Sequence, residues 1–111
     1  MGIIDRREIE FDAQALIGVV AGSLQRAQAI GLPVLRPTDV RFDPTERHVD
    51  FVYETHPVVS VPAERLGALL VSYCVRARLP MARGADKDLR VEAAAVVLAF
   101  STHYTDLPAT W

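Results

Sequence analysis

Four arginines and the chain's only lysine fall within the fifteen residues RARLPMARGADKDLR, positions 76–90. Arg76, Arg78, Arg83, Lys87 and Arg90 face only Asp86 and Asp88 there, and Arg36 and Arg41 join them if a second corner, residues 32–42, lies at the same end of a sheet. Such a patch has the charge to hold phosphate, an acidic protein or a nucleic-acid backbone. Three of these residues also have a plainer role. Arg76 and Arg78 occupy the last turn of a helix, where the dipole favours cations by about 0.3–1 kcal/mol without any ligand. Arg90 stands on the wet face of a strand, with Asp88 and Glu92 as neutralising neighbours. No aromatic residue interleaves with the cations to stack bases, and GADKD lacks the spaced glycines of a phosphate loop.

A second group is HVDFVYETH, residues 48–56, in which His48, Asp50, Glu54 and His56 share one face of a straight strand. Two imidazoles and two carboxylates are metal ligands, but His48 and His56 would stand about 26 Å apart at roughly 3.3 Å per residue. Neither His48 with Asp50 nor Glu54 with His56 supplies enough ligands, so the pattern reads as the polar face of a half-buried strand, with no metal or cofactor expected. Cys74 sits at helical spacing from Leu70 and Ala77, as a buried thiol would. Ser60, Ser72 and Ser101 lack the flanking glycines of a nucleophile elbow. No catalytic residue is assigned.

These residues need elements to carry them. Asp12 is placed to cap a helix over residues 13–30, with Phe11 stapled to Leu16 and Leu16, Val20, Leu24 and Ala27 along one stripe. Gly31 suits a left-handed C-cap, Leu32 its apolar contact and Pro33 the stop. Gly18 and Gly22 weaken this helix or let a neighbour approach closely. DVRFD and RHVDFVYE read as a hairpin turning at Asp43-Pro44. THPVVSVP is extended, and a second helix, with Pro62 in its first turn, carries Leu66, Leu69, Leu70, Tyr73, Cys74 and Ala77 before ending at Leu79. LRVE and AVVLAFS form a second hairpin turning near Ala93 and Ala94, the last strand apolar on both faces as a central strand is.

The order predicts an α+β domain over 1–111: αββαββ, one four-stranded antiparallel sheet with both helices on one face, an N-terminal arm at 1–11 and a tail at 102–111 ending in Trp111. The corners LPVLRPTDVRF and LPMARGADKDLRV share Leu-Pro, a later arginine and an Asp-aliphatic-Arg entry into a strand. They fit either a duplicated unit or convergent corner chemistry, since the helix faces do not superpose when the Leu-Pro pairs are aligned.

Composition bounds the function. The net charge is −2, so any basic site is local, and eleven arginines against one lysine mark arginine as this chain's default cation. The lone cysteine and the absence of an apolar run of spanning length point to a cytoplasmic chain with no membrane role. The last strand's second apolar face needs cover, and a second copy is the economical one. The expectation is a non-enzymatic interaction module, homodimeric and contacting another protein; the alternative is an anion- or nucleic-acid-binding domain using Arg36, Arg41, Arg76, Arg78, Arg83, Lys87 and Arg90.

Overall fold

The computed structural model describes residues 3–79 and 86–104. Within them the chain runs β1 (Ile3–Asp12), α1 (Ala13–Ala21), α2 (Leu24–Ala29), β2 (Asp39–Asp43), β3 (His48–Val52), β4 (Val59–Pro62), α3 (Ala63–Arg76), β5 (Asp86–Val91) and β6 (Ala95–Tyr104). Asp12 caps α1 as its position requires: its Oδ1 accepts the Ala15 amide at 2.8 Å. The expected helix over 13–30 breaks at Gly22 and Ser23, where Ser23 leaves helical geometry (φ −153°, ψ 63°). A Cβ on Gly18 would meet nothing within 4 Å, so that glycine permits no close approach and only loosens α1.

Both helical segments end in the same way. Gly31 has φ +94°, its amide reaches Gln28 O, and Leu32 N reaches Ala27 O at 3.1 Å. Arg78 repeats this at φ +57°, with its amide on Val75 O and Leu79 N on Cys74 O at 3.0 Å. This is the six-to-one and five-to-two bonding of a Schellman cap, which wants an apolar residue just past the left-handed position and tolerates proline after it. The shared Leu-Pro of the two corners is that chemistry. It also ends α3 at Arg76, short of the expected Leu79.

The single four-stranded sheet is corrected to two three-stranded antiparallel sheets, ordered β1-β6-β5 and β2-β3-β4. Both expected hairpins form, with Arg41 opposite Asp50 and Arg90 opposite Val97. The third strand of each sheet comes from outside the expected hairpins, one from the N-terminal arm and one from the extended segment. Residues 1–11 were expected to be an arm, yet β1 pairs with β6 over its full ten residues, from Ile3↔Tyr104 to Asp12↔Ala95. This also moves residues 102–104 from the tail into β6. Six of the ten β1 residues are charged, which is poor strand composition, and a partner more than eighty residues away leaves no local trace. The last four residues of the expected extended segment are β4, whose terminal Pro62 is tolerated on an edge strand.

The two halves of the chain repeat one plan. Residues 3–52 and 59–104 each run strand, helix, hairpin, and each opening strand joins the other half's hairpin. The register coincides: Ile9 and Val59, four residues before Ala13 and Ala63, face Leu98 and Phe51. Counted from the helix starts, Leu16, Val19 and Val20 match Leu66, Leu69 and Leu70, all buried. The mismatch found on aligning the Leu-Pro pairs reflects three extra residues in the first helix, absorbed at its break. One core unites both halves, built on Leu16, Val20, Val49, Phe51, Leu66 and Leu70, which are fully inaccessible; burying such a side chain stabilises by about 1.5–3 kcal/mol. β4 is the counterpart of residues 9–12 alone, so residues 3–8 of β1 lie outside the repeat.

Candidate functional site

That extension, with its partner residues 99–104, forms a ribbon. Its inner half, residues 6–8 with 99–101, is flanked by β5, which among the described residues begins at Asp86 opposite Ser101, and residues 3–5 with 102–104 project past that point. Ile3 and Ile4, near the tip, are 45% and 50% exposed. β1 is also the outer strand of its sheet, and among the described residues no strand lies beside its far edge.

Alternation divides β1 between two faces. Ile3, Asp5, Arg7, Ile9 and Phe11 share the face of the core, which Phe11 enters (3% exposed) while Asp5 and Arg7 form an ion pair at 3.8 Å on the projecting part. Ile4, Arg6, Glu8 and Glu10 occupy the outer face. There Arg90 reaches across β6 from β5 to Glu8 (Nη1–Oε1 3.0 Å) and also contacts Glu92 at 3.6 Å. The Glu8 hydrogen bond raises the Arg90 pKa further above its ordinary value. This bridge runs over Val97 and Ala99, and Val97 is 4% exposed. The second apolar face of β6 is therefore covered by side chains of its own sheet, and a second copy is not needed to cover it.

The other sequence-derived site residues are dispersed. Arg36 is exposed in the loop before β2 and lines a cleft with Thr38 and Glu54. Arg41 stands on the outer face of β2, opposite Asp50. Arg76 is exposed in the last turn of α3, and Arg78 is its left-handed cap residue. Lys87 lines a different cleft, of about 230 Å³, with Arg47, Glu64, Asp88 and Leu89. Arg90 contacts the expected Glu92 and, unexpectedly, hydrogen-bonds Glu8 more closely. Arg83 and Trp111 lie outside the described residues. Arg36 and Lys87 thus line separate clefts, and Arg41 and Arg90 belong to separate sheets.

His48 and Asp50 do meet, with Nε2 3.2 Å from Asp50 Oδ1 and 3.7 Å from Asp43 Oδ2, and Ser60 donates to the same Asp50 oxygen at 2.5 Å. His56 turns away, its ring edge-to-face on buried Tyr53 with centroids 5.6 Å apart. Among the described residues no three His, Cys, Asp or Glu side chains are grouped to hold a metal ion. Cys74 is free and fully buried, and burial pushes its thiol pKa up against a smaller opposing backbone hydrogen bond.

Sequence reasoning overlooked β1 and Arg47. Arg47 ends the β2–β3 turn at φ +55°, its carbonyl accepts the Ala63 amide at 3.0 Å, and its Nη2 donates to Leu89 O at 3.4 Å, fastening one sheet's turn to the other sheet's edge. Nothing local announces that contact. For the end of β1 alone a local signal existed, the apolar–polar alternation Ile9-Glu10-Phe11-Asp12. No helix among the described residues is long and apolar enough to cross a membrane. Comparison of the chain with protein-family models, curated proteins and solved structures gives no match.

Proposed function

We propose that the chain is a non-enzymatic interaction module that binds a protein partner along the β1–β6 ribbon. The observation that carries this reading is the six-residue extension of β1 beyond the repeat, which adds little to the core and exposes two isoleucines beside an open strand edge. A scaffold needing only its core would begin β1 at residue 9, as β4 begins at the matching Val59 in the other half. An open edge offers backbone hydrogen bonds to an added strand, and alternate side chains give it specificity. The charges Asp5, Arg6, Arg7 and Glu8 keep that edge from pairing indiscriminately.

The test is site-specific photo-cross-linking in cells that make the full chain. Ile4→p-benzoylphenylalanine is expected to yield a discrete cross-linked protein species, and Gln28→p-benzoylphenylalanine, on exposed α2, none. Absence of any cross-link from position 4 rejects the ribbon as a contact surface.

A further inference from the structure

We infer that the occupant of the β1 edge is a second copy of this chain, its β1 running antiparallel to the first about a twofold axis through Arg6. This rests on the interaction reading above and names its partner. The argument is one of self-complementarity. An axis through residue 6 sets residue 3 opposite 9 and residue 5 opposite 7. On the inner face the sequence Ile3, Asp5, Arg7, Ile9 then pairs isoleucine with isoleucine and aspartate with arginine, each twice. Directly opposed side chains of this kind reinforce a strand pair, and like charges there oppose it.

On the outer face the same register opposes Arg6 to itself at the axis and Ile4 to Glu8, and each Arg6 is diagonal to the second copy's Glu8, whose carboxylate would be shared with Arg90. Moving the axis to Arg7 would demand that Ile3 pair with Phe11, which is committed to the core at 3% exposure. Moving it to Asp5 would oppose two aspartates and set Ile3 against Arg7. The Arg6 register uses only residues 3–9, clear of the turn into α1, and joins two three-stranded sheets into one of six strands. It also covers Ile3, 45% exposed in the single chain, with Ile9.

The register is tested by charge exchange. Sedimentation velocity of the full chain is expected to show a monomer–dimer equilibrium with a micromolar dissociation constant, as befits a small interface. Asp5→Arg and Arg7→Asp should each weaken the dimer on the order of tenfold, because two opposed ion pairs become like-charged pairs. The double variant Asp5→Arg/Arg7→Asp should restore it. Arg6→Cys should oxidise to a disulfide-linked dimer, since directly opposed residues across an antiparallel pair lie about 4.5–5.5 Å apart between Cα atoms, whereas Arg7→Cys should not.

A monomer at high micromolar concentration overturns the proposal, as does a dimer insensitive to both single variants or not restored by the double. Photo-cross-links from position 4 separate the two readings. A species of twice the chain mass supports self-pairing; cross-links only to a different protein overturn self-pairing and leave the interaction module standing; no cross-link removes both.

Discussion

At Cys74 the chain holds its one thiol in the last turn of α3, fully enclosed, and that position decides its chemistry. A thiolate is costly in an apolar enclosure, so the folded state retains the proton at a pH where the unfolded state releases it. The unfolded state then binds fewer protons, and the sign is fixed: stability is unaffected below the ordinary thiol pKa of about 8.5 and falls as pH rises above it. Urea denaturation at neutral pH and at about pH 9.5 should show this loss, and Cys74→Ala should remove most of the difference while lowering stability at both. A pH dependence unchanged in Cys74→Ala would contradict the account. The buried thiol was legible in the sequence, because helical spacing put it between Leu70 and Ala77. Glu92 as a partner of Arg90 was legible too, but Glu8 was not, because it is brought to Arg90 only by the pairing of β1 with β6.

The two Schellman caps show what is decided within an element. Gly31 and Arg78 hold the same left-handed position, one with the residue suited to it and one without. A side chain in that region costs roughly 1–2 kcal/mol, so substitutions at the two caps should have opposite signs. Gly31→Ala should destabilise by about 1 kcal/mol, and Arg78→Gly should stabilise by up to about 1 kcal/mol, the gain reduced by the freedom of glycine in the unfolded chain. Urea midpoints at unchanged slope measure both. A stability loss in Arg78→Gly would mean that the Arg78 side chain makes contacts outweighing the strain. Caps, hairpins and helix faces were readable because each depends on neighbours a few residues apart. The break at Gly22 and Ser23 was not readable, since apolar spacing continues through it to Leu24 and Ala27.

For the whole molecule, the exchange of opening strands between halves makes each sheet depend on both. β1 removed at residue 8 still leaves Ile9, Phe11 and the Asp12 cap, the portion that β4 matches in the other sheet. A chain lacking residues 1–8 is therefore expected to keep its circular dichroism spectrum and one cooperative thermal transition. It is also expected to lose the self-association proposed for the ribbon. A chain lacking residues 1–12 should not fold, because losing Phe11 alone removes an enclosed aromatic worth about 3–5 kcal/mol. Unfolding of the shorter truncation would show that the ribbon is structural, and an unchanged association would place the contact elsewhere.

Sequence alone determined the helices' apolar stripes, both hairpins, the caps at Asp12 and Gly31, and the central position of β6. Each is written in local spacing, at period two or near 3.6. Tertiary structure decided which strands meet. Pairing β1 with β6 and β4 with β3 costs loop closure over long separations and is repaid only when the common core forms, so no window of neighbouring residues records it. The basic stretch at 76–90 illustrates the difference, since its charges are plain in the sequence but the distribution of those among the described residues is not. The charged beginning of the chain illustrates the converse: Ile3, Asp5, Arg7 and Ile9 had no evident purpose until β6 straightened them into an open edge.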